Sequence, residues 1–381
     1  MFVRLGAYYF LFFAAVGVFI PYWPPYLQAR GLSPEAIGSL LGLASATRVV
    51  VPNLWGWLAD RRGRPMAVVR LAGGLAALAV AALLVVPDSV AVLAAVTVAY
   101  VVFSAGTLSQ FEATTFAHLG RDGARYGRIR LWGSVGFIVA VSGFAPLLER
   151  LGSGVTPLLL GGLLAALWLL SLAVADGPVQ RHDAGGGGLG SVLRRREVQA
   201  LLAVSCLVQV AHGPYYTFYS IHLAANGYGR EAVGALWSLG VLAEIGVFIV
   251  MPRLWTRFGP RRLLLAALLL SALRWTLVGL AAAQLGAVLL AQLLHAASFG
   301  ICHAVAVQLV QRWFGPRHQG RGQALYASMS GGLGGGLGAW LSGQVWPAFG
   351  PAATFLVGAA VFLLAFTVAL LAVREPAGAP A

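Results

Sequence analysis

The feature that most constrains this chain is a run of apolar stretches, each of the roughly 20 residues that a helix needs to cross the hydrocarbon core of a bilayer, recurring from end to end with short breaks. Twelve are readable, at approximately 5–28, 35–59, 67–86, 90–117, 127–149, 155–175, 198–222, 231–255, 262–281, 286–312, 321–346 and 351–373. Strands of a membrane barrel would alternate in hydrophobicity over segments of about 10 residues instead of running on continuously. The sequence therefore predicts an all-α polytopic membrane protein with twelve transmembrane helices. Of its 381 residues 59% are hydrophobic and 10% charged, against roughly 25% charged in soluble domains, so little chain remains for a soluble domain. The first stretch follows directly on Met1 to Arg4. It is too long for a signal-peptide core and lacks a small-residue cleavage site before the second, so it is expected to stay as the first helix.

The formal net charge is +14, and every Lys or Arg position is arginine. Such a balance raises nucleic acid as a partner, but the placement of the charge points to a membrane instead. With the N-terminus inside, the cytoplasmic turns and ends hold Arg4, Arg61, Arg62, Arg64, Arg70, Arg121, Arg125 and Arg128, then Arg181 and Arg194 to Arg196. The same side holds Arg253, Arg257, Arg261, Arg262, Arg312, Arg317, Arg321 and Arg374, and the outer turns only Arg30, Arg150 and Arg230. This positive-inside bias predicts a multi-pass protein of a bacterial-type inner membrane with both termini cytoplasmic and no nucleic-acid partner. Cys206 and Cys302 fall inside apolar spans and form neither a disulfide nor a metal pattern.

Between the sixth and seventh stretches lies "ADGPVQRHDAGGGGLGSVLRRRE", a glycine- and arginine-rich linker. It predicts two domains: residues 1–176, then a cytoplasmic linker at 177–197, then residues 198–381 with a short cytoplasmic tail. The halves also repeat. "GLSPEAIGSL" from Gly31 aligns with "GYGREAVGAL" from Gly227, and the same offset of 196 brings Gly63 onto Gly259. Parallel repeats of this kind suit a transporter that rocks two bundles around a midplane site. In the first copy Ser33 is set to cap a helix with Pro34 in its first turn and Glu35 at its positive end; Gly229 and Arg230 of the second copy fit that rule less well.

Charges inside the apolar stretches mark candidate sites, because each costs about 2.5–3.5 kcal/mol at a helix centre even on lenient insertion scales. Arg48, Glu244 and Arg274 lie near the middle of spans two, eight and nine, and Glu112 and Arg130 about a third of the way in from the cytoplasmic face. Arg48 and Glu244 are related by the repeat offset, and Glu112 and Arg130 are at matching depth to pair. Three arginines face two glutamates, a surplus that an anionic substrate would complete. His212, His295 and His303 also fall within spans, and histidine suits a proton relay because it titrates near neutrality. Aromatics gather in "HGPYYTFYSIH", with Tyr215 and Tyr216, and at Trp237 and Trp275; rings beside an arginine suit an aromatic or sugar ring. The glycine run "SGGLGGGLGAWLSG" suits close helix crossing. No carboxylate or cysteine sits at ligand spacing beside the histidines, so no metal is expected, and no catalytic triad or phosphate-binding motif is legible, so neither is an enzyme.

The segment "GWLADRRGRP" resembles the loop signature of the major facilitator superfamily between its second and third helices, carried here by Gly56, Asp60, Arg61, Gly63 and Arg64. The resemblance implies a cytoplasmic gate in which Asp60 meets the start of the eleventh span near Arg321. Within the superfamily the chain is similar to the 3-phenylpropionate transporter family, itself related to lactose permease. The blocks carrying this are "YGRIRLWGSVGF", "HGPYY", "LWSLGVLAEI", "LRW" and "QLLHAASFGICHA". The resemblance implies twelve helices in two pseudo-symmetric six-helix bundles, the major facilitator fold. It also implies proton-coupled uptake of a small organic solute, with an aromatic carboxylate the name-giving case and sugars or nucleosides the rivals, ahead of drug export.

By the same resemblance, Glu112 and Arg130 correspond to substrate-binding residues, and Glu244, Arg274 and His295 to the charged set of the second half. Ser298 stands where the permease has its proton-carrying glutamate, so the proton step does not transfer unchanged. The expected substrate set is Arg48, Glu112, Arg130, Tyr215, Tyr216, Trp237 and Arg274, and the proton set is Glu244, His295 and His303. Expected partners are the substrate, protons and the bilayer, with the proton gradient in place of a cofactor and a monomer as the working unit.

Overall fold

The computed structural model describes residues 1–86, 89–120, 125–177 and 189–373, with the side chains at 316 and 317 left out of the description. Arg121, Arg181 and Arg374, and most of the expected linker and tail, therefore lie outside the described residues. The described chain consists of helices and turns. In order these are α1 (Phe2–Ala29), α2 (Pro34–Ala46), α3 (Val51–Arg62), α4 (Pro65–Ala81), α5 (Val90–Leu119), α6 (Tyr126–Gly143), α7 (Ala145–Leu151) and α8 (Thr156–Leu172). There follow α9 (Leu189–Leu193), α10 (Arg196–Ala211), α11 (Gly213–Ala225), α12 (Arg230–Leu280), α13 (Leu285–Leu293), α14 (Cys302–Ala327) and α15 (Gly335–Ala372).

Ten helical stretches among the described residues are long and apolar enough to cross a membrane. The difference from the expected twelve lies in two of them, Arg230–Leu280 with 51 residues and His318–Ala372 with 55. At about 1.5 Å per residue either would be more than twice as long as the roughly 30 Å hydrocarbon core. Each holds one glycine with non-helical backbone, Gly259 (φ 72°, ψ 163°) and Gly350 (φ 84°, ψ 173°), followed directly by Pro260 and Pro351. Glycine adopts positive φ without the Cβ clash, and proline then fits the first turn of the next helical segment.

The positive-φ glycines extend the internal repeat. Gly31, Gly63, Gly120 and Gly152 in the first half are matched by Gly227, Gly259, Gly315 and Gly350 in the second, at separations of 196, 196, 195 and 198 residues.

Contacts divide the chain into two compact units, Met1–His182 with Tyr228–Ser238, and Asp183–Gly227 with Leu239–Ala381. In the first unit α1 packs on α6 and α4 on α5 and α8. The α1–α6 crossing is tight enough that a Cβ on Gly17 would sit 2.8 Å from the Phe137 carbonyl oxygen. Tyr8 stacks on Phe111 with centroids 3.6 Å apart, and Trp23 donates to the Thr97 hydroxyl at 3.0 Å. Helix ends leave backbone groups without an intrahelical partner, and side chains meet several of them here. Asp176 accepts from the Met66 N–H at 2.8 Å at the start of α4. Arg70 and Arg4 donate at 2.7 Å to the carbonyls of Val174 and Ala173 beyond the end of α8.

The expected cap on α2 is present, with Ser33 Oγ accepting from the Ala36 N–H at 3.3 Å. The repeat-related start of α12, which has no capping residue of its own, is capped from α7: Glu149 Oε2 accepts from the Arg230 N–H at 2.6 Å. The same segment joins the first unit through Ser142 and Ser238, whose hydroxyls are 2.7 Å apart.

In the second unit α10 and α11 pack on α15, and the glycine run meets its expected role. A Cβ on Gly334 or Gly338 would lie 2.5 Å from the carbonyl oxygen of Cys206 or Val210 respectively. Arg261 donates to Val373 and Leu370 carbonyls at 2.9 and 2.8 Å, repeating at the end of α15 what Arg70 does at the end of α8. Two segments, Ala296–Ile301 and Ser328–Gly334, are wound as π-helix, a form with i→i+5 bonding that is frequent at functional sites.

Candidate substrate and proton sites

In the first unit α5 and α6 bring the expected pair together: Arg130 Nε lies 4.0 Å from Glu112 Oε1, with the side chains 34% and 33% exposed. Tyr126, one helical turn before Arg130, donates to the same Glu112 oxygen at 3.0 Å. The guanidinium lies over Phe13 at 4.0 Å and near Tyr9 at 5.7 Å, both on α1. Gly133 makes room for this, since a Cβ there would sit 2.7 Å from both Arg130 Nη1 and Phe13 Cδ2. A cation over a ring face, with a carboxylate 4.0 Å away and a third of each side chain exposed, can accept an anionic or hydroxyl-rich ligand. The sequence pointed to Glu112 and Arg130 but missed Tyr9, Phe13 and Tyr126. Only Tyr126, four residues before Arg130 and hence on one helix face, left a readable trace.

In the second unit Arg274 is fully buried. It donates from Nε to the Ala291 carbonyl at 2.9 Å, from Nη1 to Ser298 Oγ at 2.7 Å and from Nη2 to Gln292 Oε1 at 3.0 Å. It is flanked by the rings of Tyr215 at 4.4 Å and Trp275 at 4.2 Å. These directed partners are neutral, and Ser298, in the place of the permease glutamate, is one of them. Tyr215 is itself buried in this cluster and receives a 3.4 Å hydrogen bond from Gln292 Nε2.

His295 Nε2 is 3.7 Å from Glu244 Oε2, with side chains 7% and 18% exposed. Two glycines admit this approach: a Cβ on Gly240 would lie 3.3 Å from the His295 ring, and one on Gly300 would lie 3.5 Å from Glu244 Cγ. His303 Nδ1 is 2.9 Å from the Tyr326 hydroxyl. Tyr216 is half-buried and stacks on His212, with centroids 5.8 Å apart. Trp237 is buried and groups with the first unit, 6.4 Å from Phe137.

Arg48 differs from the expectation of a buried mid-helix cation. It is exposed, in a short 3-10 turn (Thr47–Val49) that separates α2 from α3, within electrostatic reach of Tyr100. Pro52 explains the break, because it has no N–H to return to the Arg48 carbonyl four residues earlier. Glu244, its repeat partner by offset, lies inside α12, so the shared position is not matched by a shared conformation. At the gate motif, Gly63 takes a left-handed conformation (φ 61°, ψ 20°) and its N–H caps Ala59 and Asp60 carbonyls, closing α3 as expected. Gly56 is partly buried, and Asp60, Arg61 and Arg64 are exposed around that turn, with the Arg61 guanidinium 5.4 Å from the Trp57 ring.

A model of the MFS_1-like family matches residues 2–357. The chain is 31% identical over 319 residues to the "Probable 3-phenylpropionic acid transporter" of Escherichia coli (strain K12), covering 79% of this chain and 80% of that protein. It is also 31% identical over 348 residues to maltose permease of Geobacillus stearothermophilus, covering 87% and 84%. Among solved structures, that of the nucleoside transporter NupG aligns with a TM-score of 0.84 at 18% identity over 97% of this chain and 98% of that one. The POT family transporter PepTSo aligns with a TM-score of 0.77 at 14% identity, over 97% of each. At these identities the structures speak to the fold alone, and the sequence relatives to the family. This chain belongs to the MFS_1-like family, and is a multi-pass membrane transporter of the major facilitator type, not an enzyme.

Proposed function

We propose that this transporter is a proton-coupled importer of a small aromatic carboxylate, working by alternating access in a bacterial-type inner membrane. The observation that carries the substrate class is Arg130, whose partly exposed guanidinium lies over Phe13 with only a 4.0 Å contact to Glu112. A substrate carboxylate would complete the neutralisation of Arg130, and its ring would lie with Phe13 and Tyr9. The name of the 3-phenylpropionic acid relative supports this reading. Arg274 takes a positioning role instead, because its donors already face Ala291, Gln292 and Ser298. Glu244 with His295 carries the proton.

We read twelve transmembrane helices by dividing α12 at Gly259 and the last long stretch at Gly350, giving six in each repeat, with both termini cytoplasmic and the monomer as the working unit. Asp60 would serve the cytoplasmic gate that the resemblance of its motif implies. A sugar reading is supported by the equal identity to maltose permease and by Glu112, which could accept hydroxyl protons while Arg130 donates.

A thermal-shift screen of the purified protein against aryl carboxylates, sugars and nucleosides, followed by uptake into proteoliposomes with an imposed pH gradient, tests both. Stabilisation by 3-phenylpropionate and uptake that follows an inward proton gradient are expected. Stabilisation by sugars alone would overturn the anion assignment, and uptake indifferent to the gradient would overturn proton coupling.

A further inference from the structure

His295, Phe299 and His303 follow one another at intervals of four, and their rings form one near-parallel stack. His295 and Phe299 have centroids 5.7 Å apart at 14°, and Phe299 and His303 are 5.5 Å apart at 9°. In a regular α-helix each step of four residues would rotate the side chain by about 40°, and the column would splay. The wider π turn at Ala296–Ile301 takes up that drift across the middle ring. At the far end of the column His303 Nδ1 meets the Tyr326 hydroxyl at 2.9 Å, and Ser330 and Cys302 also face that phenol.

Proton transfer needs donor and acceptor atoms within roughly 2.6–3.2 Å or one bridging water. Phe299 has neither a donor nor an acceptor, so the stack that aligns the two histidines also separates them. The groups facing each histidine differ accordingly. His295 faces Glu244 and Arg274 from α12, His212 from the end of α10 and Tyr215 from α11. His303 faces Tyr326, and through it Cys302 and Ser330.

We propose that His303 and Tyr326 form a second proton-binding station, distinct from the Glu244–His295 pair, with Phe299 as the spacer that keeps the two from exchanging a proton directly and Tyr326 as the residue that positions His303. The station binds one proton on the imidazole: Nδ1–H then donates to the Tyr326 oxygen, the phenol O–H turns away from the ring, and Nε2 holds the second hydrogen. On release the imidazole returns to one N–H and the proton leaves to water. Along the helix axis the station lies about 12 Å beyond His295, toward the end of the span that the arginine bias assigns to the cytoplasm. Its place as an exit station rests on the proton-coupled reading above. Its existence as a separately titrating site does not.

The test is substrate-free: nitrogen NMR titration of ¹⁵N-histidine-labelled protein in lipid nanodiscs, with His295 and His303 assigned by His295→Gln and His303→Gln. Tyr326→Phe is expected to move the His303 midpoint by about half a pH unit or more, roughly a threefold change in proton affinity, and to leave His295 in place; Glu244→Gln is expected to do the converse. Phe299→Ala, which opens a gap for water, is expected to couple the two titrations, whereas Phe299→Leu, which fills the gap with another apolar group, keeps them separate and controls for folding. If His303 does not move in Tyr326→Phe, or if His295→Gln moves His303 as far as Tyr326→Phe does in an otherwise native protein, the proposal is overturned. Uptake that ignores the pH gradient while His303 titrates as expected would sink the proton-coupled reading and leave the station standing.

Discussion

Arg274 and Arg130 are both arginines on apolar helices, and their surroundings give them different work. Arg274 is fully buried, with hydrogen bonds to three neutral acceptors and the adjoining rings of Tyr215 and Trp275 against its guanidinium. Removing it strands Gln292 and Ser298, and a buried polar group left without its partner costs about 1–3 kcal/mol. Arg130 keeps a third of its side chain open and its ion pair with Glu112 is a loose 4.0 Å contact, and pairs of that exposure contribute about 0–1 kcal/mol to stability. Arg274→Leu is therefore expected to lower the unfolding temperature markedly in detergent, while Arg130→Gln leaves it almost unchanged. Arg130→Gln should instead weaken the ligand found in the thermal-shift screen about tenfold or more, the equivalent of about 1.4 kcal/mol, measured by calorimetry. Retained affinity in Arg130→Gln would remove this residue from the binding site. Residue chemistry was legible where a charge stood in grease, as at Glu112, Arg130, Glu244 and Arg274. It was not legible at Phe13 or Tyr326, because an aromatic residue in an apolar helix carries no mark of the partner it will meet.

At the scale of the element, the helices are set by where the backbone can cross and where it must break. Gly213 lies so close to α15 that a Cβ would fall inside contact distance of the Gly338 backbone, whereas Gly246 on α12 has open space around its missing Cβ. Overpacking of a close crossing costs about 1–3 kcal/mol, and alanine in a helix interior is favoured over glycine by about 0.5–1 kcal/mol. The same substitution should thus have opposite signs: Gly213→Ala lowers the unfolding temperature and Gly246→Ala holds or raises it. Equal effects at both would mean that the α11–α15 crossing is looser than described. The crossing was foreseeable from the glycine run at Ser330 to Gly343. The break at Arg48 is legible in Pro52, four residues later, whereas the π turns at Ala296–Ile301 and Ser328–Gly334 carry no mark of their own in the sequence.

For the whole molecule the decisive quantity is how often the chain crosses the membrane, and the positive-φ glycines of the internal repeat support the proposed twelve. Four such turns in the first half recur in order in the second, and two of the recurrences, Gly259 and Gly350, interrupt stretches that are otherwise 51 and 55 residues of continuous helix. On the proposed topology, with both termini inside, the turn at Gly259 would close the eighth crossing on the cytoplasmic side and the turn at Gly350 the eleventh on the outside. The neighbouring residues agree in kind: Arg253, Arg257, Arg261 and Arg262 surround Gly259, and no arginine lies between Arg321 and Arg374. Phe258 and Phe349 beside these glycines are 41% and 76% exposed and can carry a probe. In a background with Cys206 and Cys302 replaced, Phe349→Cys should react with a membrane-impermeant maleimide in intact cells, and Phe258→Cys only in inside-out vesicles. Labelling of both from the same side would leave an odd number of crossings between them unaccounted for, and would overturn the twelve-helix reading together with the cytoplasmic assignment of at least one terminus.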